Sequence, residues 1–160
     1  AEKADHVVEI PDVFVWSAVI NNFLDGLNVV RSHFYTSVIG DQERLESVEH
    51  EIRLAGFESP RVYKRSKGRH SKRVDIAMAT EMLVHAFRDN YDTALVVTGD
   101  EDFVPAIDAI ASLGKRVLLW YVSSGVAPPL KRASHHTFDL ATVLLASGSI
   151  PWGIMRGDHA

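Results

Sequence analysis

Asp100 and Asp102 are the residues whose types and spacing most directly suggest chemistry in this chain. They follow an apolar run at residues 94–97 and open a helix-like segment at 104–113, so a buried strand is predicted to end in two acidic side chains. The carboxyl ends of the strands form the ligand crevice of open α/β sheets, and the two carboxylates are therefore predicted to line it. The same residues also have a purely structural interpretation, in which Asp100 caps the helix and Asp102 stabilises its positive end.

Asp75 is a third acid, predicted in the first turn of a long helix at residues 72–89. Three carboxylates that converge on one crevice repel one another unless a cation neutralises them, so such a cluster is chiefly useful as a site for a hard cation. Ligation by oxygen alone favours Mg²⁺ or Mn²⁺, and a water bound to that ion can attack a phosphodiester. Lys72 lies three residues before Asp75 and would help to hold the phosphate. Spacing alone equally allows Asp75 to act only on the helix dipole.

Basic residues are concentrated between positions 61 and 73, although the chain as a whole carries a net charge of −4. The cluster consists of Arg61, Lys64, Arg65, Lys67, Arg69, Lys72 and Arg73, with His70 among them and no acid. That density of positive charge could neutralise several phosphates of a polyanion. The alternative is a solvated loop that is basic only for solubility.

The composition limits the class of protein. With 160 residues, of which 46% are hydrophobic, the chain is long enough for one substantial core and too short for two ordinary domains. It has no cysteine, which excludes a disulfide framework, a thiolate nucleophile and a cysteine-bound zinc. No apolar run approaches the roughly 20 residues that span a bilayer, and the first residues lack the order of a signal peptide. We therefore expect a soluble, cytoplasmic protein without membrane contact.

Apolar periodicity predicts alternating strands and helices. Strands are predicted at residues 29–38, 61–63, 94–97, 116–122 and 138–140, and helices at 41–56, 72–89, 104–113 and 130–133. This order is typical of an α/β fold with a mostly parallel central sheet and helices on both faces. A single domain is expected over residues 1–146, with residues 1–28 of uncertain register, followed by a C-terminal tail at 147–160.

Three segments resemble the NYN family of PIN-like nucleases. Residues 72–78 are similar to the family's Lys-x-x-Asp-hydrophobic helix start, residues 96–103 resemble its Ser/Thr-Gly-Asp-x-Asp-Phe motif, and residues 109–117 resemble the helix-Gly-Lys-x-Val-strand that follows. The resemblance runs from about residue 29 to residue 140. It implies a Rossmann-like PIN fold, a Mg²⁺ or Mn²⁺ site and ribonuclease activity. Asp75, Asp100 and Asp102 occupy acidic positions of the family.

The chain departs from the family pattern at its first strand, which in the family ends in Asp. Residues 13–16 are one candidate for that strand, with Trp16 where the acid should be. They also fit a helix capped by Asp12, with apolar residues at helical spacing up to Leu27. Residues 25–28 match the Asp-x-x-Asn pattern literally but are interpreted as a helix-ending turn, since the next strand follows immediately. Near the C-terminus, His136 stands where relatives often carry Asp.

The leading hypothesis is a metal-dependent ribonuclease. Asp75, Asp100 and Asp102 would organise Mg²⁺ or Mn²⁺, and Thr98 would shape the turn. Single-stranded or structured RNA would be guided by basic residues, namely Lys64, Arg65, Lys67, Arg69, Lys72 and Arg73. One alternative is a module that binds RNA or protein but has lost hydrolysis with the missing acid. Another is a phosphoesterase of small nucleotides, although the basic loop favours a polymer.

Other features of the sequence carry weaker hypotheses. Adjacent His135 and His136 do not face one another on a helix and imply no third ligand, so surface histidines are favoured over a metal site. His85 is expected to be packed or exposed rather than catalytic. Trp152 in the tail could dock on the body of the protein or on a second copy, so a homodimer is one expectation.

Overall fold

A computed structural model describes residues 7–11, 13–16, 28–66, 72–122 and 125–140. These residues form seven strands, four helices and one 3₁₀ turn. In chain order the elements are β1 (Val7–Ile10), β2 (Val13–Trp16), β3 (His33–Val38), α1 (Gln42–Leu54), β4 (Ser59–Lys64), α2 (Lys72–Phe87), β5 (Thr93–Val97), the 3₁₀ turn (Glu101–Phe103), α3 (Val104–Ser112), β6 (Arg116–Tyr121), α4 (Pro128–Ala133) and β7 (His136–Asp139).

The strands of the described residues pair in three sheets. β1 and β2 form an antiparallel hairpin, β3 and β4 are parallel, and β5, β6 and β7 form a parallel sheet in that order. Parallel neighbours need a crossover, and α1, α3 and α4 supply those between β3 and β4, β5 and β6, and β6 and β7. The predicted α/β alternation is confirmed. Within the ranges that the structure describes, the parallel strands lie in two sheets rather than one continuous sheet.

Local sequence signals place both ends of α1. Asp41 Oδ1 accepts a hydrogen bond from the backbone N–H of Arg44 at 3.0 Å, as expected of a helix N-cap. Gly56 adopts a φ of 99° just beyond the helix, a conformation that glycine tolerates at a helix end. Between these residues, Val48 and Ile52 are buried on the inner face.

Buried side chains form two apolar clusters among the described residues. The first lies between β5, β6 and helices α2 to α4, and consists of Ala86, Val96, Phe103, Ile107, Ile110, Val117, Leu119 and Leu130. The second lies between the β1–β2 hairpin, β3 and α1, and consists of Ile10, Val13, Val15, Val38, Val48 and Ile52. Helix α2 contacts β3 and β4 as well as α3, so it connects the two parallel sheets.

Residues 13–16 form a strand, so the helix interpretation is wrong for these four residues. β1 and β2 pair antiparallel, with Val8 opposite Val15 and Ile10 opposite Val13. Val13 and Val15 are both buried, which is the two-residue period of a strand. Asp12 and residues 17–27, over which the helix interpretation extended, lie outside the described residues.

The strand predicted at residues 29–38 begins later, at His33. Its pairing with β4 starts at His33 opposite Ser59, so residues 29–32 lie beyond the first residue of the partner strand. Val29 and Val30 are accordingly exposed. β-branched composition predicted this strand, but its length depends on a partner that lies far along the chain.

None of the helices in the described ranges is long and apolar enough to cross a membrane. The predicted tail at residues 147–160, with Trp152, lies outside the described residues.

Candidate functional site

The turn after β5 is held by its own polar groups. The backbone N–H of Thr98 donates to the carbonyl of Trp120 on β6 at 3.2 Å, and Thr98 Oγ1 accepts from the N–H of Asp100 at 3.2 Å. Asp100 Oδ1 in turn accepts from the N–H of Asp102 at 2.9 Å. Phe103, at the end of the turn, is buried in the first apolar cluster. Hydrogen bonds and the buried Phe103 therefore hold the turn at both ends.

The capping interpretation of Asp100 is confirmed, since this residue is the N-cap of the 3₁₀ turn. Both Asp100 and Asp102 are nevertheless exposed. An ionised carboxylate has two oxygens and about four acceptor sites, and the cap occupies one of them. Capping and ligand binding by Asp100 are therefore compatible.

Gly99 allows this turn to approach the loop after β6. A β-carbon at Gly99 would overlap the carbonyl oxygen of Gly125. The carbonyl of Gly99 also accepts a hydrogen bond from the N–H of Ala127 at 3.0 Å. The acidic turn and the start of α4 are thus fixed to one another.

Asp75 lies in the first turn of α2, with Lys72 and Arg73 at the start of the same helix. All three side chains are exposed. Within the described ranges, no group of three or more histidines, aspartates or glutamates is arranged so that it could hold one metal ion. The three predicted aspartates therefore do not form a preassembled three-ligand cage.

The basic cluster divides into residues with different surroundings. Lys64, at the end of β4, is exposed. Arg65 is half-buried, its N–H donates to the carbonyl of Val38 at 2.8 Å, and its Nε is buried with no hydrogen-bond partner among the described residues. Lys67 and Arg69 lie outside the described residues.

Arg61 belongs to a polar cluster around Glu81 that no sequence motif indicates. Glu81 Oε1 accepts from Arg61 Nε at 2.9 Å, and its Oε2 accepts from the hydroxyl of Tyr35 at 2.7 Å. His33 Nδ1 lies 3.3 Å from the same Oε2. Glu81 lies on α2 and its partners come from β3 and β4, so no local sequence pattern could have revealed the cluster. It anchors the second half of α2 on the β3–β4 sheet.

The protonation behaviour of the Glu81 cluster follows from these contacts. Burial acts to raise the pKa of Glu81, but the hydrogen bonds from Tyr35 and Arg61 outweigh it and lower that pKa below its usual value. Burial lowers the pKa of His33. Burial and the bond to Glu81 raise the pKa of Tyr35. The cluster is thus stabilised with Glu81 ionised and Tyr35 protonated.

Lys115 belongs to the Gly-Lys segment that resembles the family. It holds the residues that precede β5, at the end of the strand opposite the acidic turn. It is buried, and its Nζ donates to Asp89 Oδ1 at 2.5 Å and to the carbonyl of Tyr91 at 2.6 Å. The hydrogen bond from Lys115 lowers the pKa of Asp89. These contacts tie the segment that enters β5 to the start of β6.

The two adjacent histidines are exposed, as the surface interpretation predicted. The ring Nδ1 of His135 accepts a hydrogen bond from the backbone N–H of Val117 at 3.1 Å. The backbone N–H of His135 donates to the carbonyl of Val117 at 2.9 Å. His135 therefore joins β7 to β6 and has a structural role. His85 is half-buried, and its Nδ1 lies 2.9 Å from Nδ2 of Asn90.

Comparisons with known proteins add a family and a fold. The family model described as NYN domain matches residues 6–143. A crystal structure of a protein of unknown function from Vibrio parahaemolyticus RIMD 2210633 is similar, with a TM-score of 0.57 and 20% sequence identity over 74% of this chain and 75% of that one. At this identity the likeness concerns the fold alone. A comparison with curated proteins finds no match.

Proposed function

Because the chain belongs to the NYN domain family of PIN-like ribonucleases, we propose that it is a metal-dependent ribonuclease that hydrolyses phosphodiester bonds of RNA. The observation that carries this proposal is the turn at residues 98–102. It presents two exposed carboxylates at the carboxyl end of a parallel strand, where α/β folds bind their ligands. Hydrogen bonds to the side chains of Thr98 and Asp100 fix the backbone geometry of this turn.

The donor set suits a hard divalent cation. Mg²⁺ commonly keeps several waters and is bound through one or two carboxylates together with substrate phosphates, so it does not require three protein ligands in a closed cage. Asp100 and Asp102 would supply the first carboxylates and Asp75 the third. The chemistry that bound Mg²⁺ or Mn²⁺ would supply is neutralisation of phosphate charge and a more acidic water.

The remaining residues would bind and orient the RNA. Lys64 and Arg65 lie at the end of β4, and Lys72 and Arg73 begin α2, the next helix along the chain. Phosphate contacts from such residues position a polymer without reading its sequence. Lys67 and Arg69, which lie outside the described residues, are proposed to contribute further phosphate contacts.

A second candidate function is an RNA-binding or protein-binding module that keeps the fold without hydrolysis. It is favoured by the departure from the family pattern, since β2, one candidate for the family's first strand, ends in Trp16 rather than in an acid. The lack of a preassembled metal cage within the described ranges also favours it. A phosphoesterase of small nucleotides is a third candidate, which the basic surface disfavours.

The test is cleavage of a mixed single-stranded and structured RNA pool with Mg²⁺ or Mn²⁺, by the wild type and by Asp100→Asn. Asparagine caps a helix about as well as aspartate, so this variant retains the turn and loses the charge. Asp108→Asn is the matched control, because Asp108 is an exposed acid in the middle of α3 and does not belong to the turn. Metal-dependent cleavage that Asp100→Asn abolishes and Asp108→Asn retains would support the nuclease.

Other outcomes separate the candidates. RNA binding without cleavage, with equal affinity in the wild type and both variants, would favour the binding module. Turnover of mononucleotide esters but not of oligonucleotides would favour the small-nucleotide phosphoesterase.

A further inference from the structure

Lys131 has a defined position at the carboxyl end of β6. Its Nζ lies 4.0 Å from the centroid of the Tyr121 ring, a cation–π contact. Tyr121 is the last residue of β6 and is spaced two residues from Leu119 and four from Val117, which are both buried. It therefore lies on the same face of the strand as they do and packs against the first apolar cluster. The ammonium is therefore held beside a half-buried ring at the strand end.

The helix that carries Lys131 is fixed to the acidic turn. Leu130, the preceding residue, is fully buried in the first apolar cluster. Ala127, just before α4, donates to the carbonyl of Gly99, and α4 contacts the 3₁₀ turn that follows Asp100. Lys131 therefore belongs to a helix that contacts the acidic turn, and its ammonium lies beside the last residue of β6.

This position complements the basic surface proposed above. The basic residues of that surface lie at the end of β4 and the start of α2, whereas Lys131 lies on the helix that follows β6. Strand β5 and its acidic turn come between these two positions in the chain, and β5 pairs with β6. An RNA strand whose scissile phosphate lies at the metal-binding turn carries further phosphates to either side of it, and a cation on the β6 side would neutralise one of them. Lysine serves this purpose as a point charge.

We propose that Lys131, held on the ring of Tyr121, binds an RNA phosphate on the β6 side of the turn at residues 98–102. This inference rests on the proposed ribonuclease function, and it adds a substrate-binding residue that neither the basic cluster nor the acidic motif contains. The aromatic ring restricts the lysine without neutralising it, which leaves the charge available to a phosphate.

The experiment compares Lys131→Met, Lys131→Arg and Arg132→Met with the wild type. Methionine preserves a flexible apolar stem over Tyr121 and removes the charge, whereas arginine keeps the charge. Arg132 is the matched control because it is the next residue on α4, exposed, and carries the same charge. The readouts are kcat and KM on a labelled single-stranded RNA of mixed sequence, the salt dependence of RNA binding, and the thermal unfolding midpoint.

We expect Lys131→Met to raise KM about tenfold with little change in kcat, which is the loss of one charged contact. The slope of log affinity against log salt should fall by about 0.7, as for one phosphate contact to a single strand. Lys131→Arg should restore both values, and Arg132→Met should resemble the wild type. A structural role alone would lower the unfolding midpoint and leave the salt slope unchanged.

The outcomes distinguish this inference from the proposed function. If the wild type cleaves RNA while Lys131→Met and Arg132→Met share its KM and salt slope, the inference is wrong and the ribonuclease stands. If the wild type binds RNA without cleaving it, the ribonuclease is wrong, and a lower salt slope for Lys131→Met than for Arg132→Met still supports the phosphate contact. Equal slopes, or the lack of any RNA binding by the wild type, would overturn it.

Discussion

Gly99→Ala is expected to destabilise the protein because the added methyl group has no space. The new β-carbon would overlap the carbonyl oxygen of Gly125, which is a backbone atom. The backbone also fixes the position of the β-carbon, so no side-chain rotation relieves the overlap. Relief requires the turn after β5 and the loop after β6 to separate. That movement would also break the hydrogen bond from Ala127 to the carbonyl of Gly99, which is 3.0 Å long in the structure.

The magnitude follows from these two losses. Overpacking costs about 1–3 kcal/mol, and one backbone hydrogen bond contributes about 1 kcal/mol. Restriction of the unfolded chain by alanine offsets about 0.4–1 kcal/mol of this. The free energy of unfolding should therefore fall by about 1–3.6 kcal/mol, which for a chain of this size lowers the midpoint by roughly 2–14 °C.

The matched control for Gly99→Ala is Gly125→Ala, on the other side of the same contact. A β-carbon at Gly125 meets no heavy atom within 4 Å. The control should be as stable as the wild type, or slightly more stable. Thermal and urea unfolding followed by circular dichroism measure both variants, and equal midpoints for the two alanine variants would refute the close approach.

Two further predictions concern residues that hold the scaffold of the site. Glu81→Gln should lower the free energy of unfolding by about 1–3 kcal/mol at neutral pH, because it weakens the bonds from Arg61 and Tyr35, whereas the exposed Glu58→Gln should not. Since the pKa of Glu81 is lowered in the folded state, its contribution is fully present above the unfolded-state pKa and is lost as the pH falls through the folded-state pKa. Urea unfolding at a series of acidic pH values should therefore show a shallower loss of stability for Glu81→Gln than for the wild type, and parallel curves would contradict this. Lys115→Met should cost about 1–2 kcal/mol through the lost bond to the Tyr91 carbonyl, because Asp89 is exposed and its ion pair adds little, and an unchanged unfolding midpoint would contradict the role of that bond.

The sequence was sufficient wherever a structural feature depends on neighbouring residues. Asp41 and Gly56 define α1 through a cap and a left-handed residue that are both local. The run at residues 96–103 likewise predicted a strand, an acidic turn and a helix, and the structure has all three. The periodicity of α2 predicted the helix from Lys72, which placed Asp75 in its first turn.

The features that the sequence did not predict depend on distant partners. Glu81 is one acid in the middle of a helix, and its partners Tyr35 and Arg61 lie 46 and 20 residues away. The sequence showed Gly99 only as part of a motif. The reason that no side chain fits at this position is the carbonyl oxygen of Gly125, which is distant in the chain. Neither the type nor the local spacing of Lys131 distinguishes it in the sequence, and only the position of the Tyr121 ring beside its ammonium does so.

The cap that Asp100 forms in the folded chain is compatible with the metal-binding role proposed for the same residue. The cap on the N–H of Asp102 fixes one carboxylate oxygen, and the bond from the N–H of Asp100 to Thr98 fixes the backbone that carries it. A ligand oxygen oriented in this way loses little further freedom when it binds a cation. Asp100→Ala would therefore combine the loss of a cap with the loss of a charge. Asp100→Asn removes the charge alone, so the difference between the two variants in unfolding midpoint and in RNA cleavage separates the structural part of this residue from the chemical part.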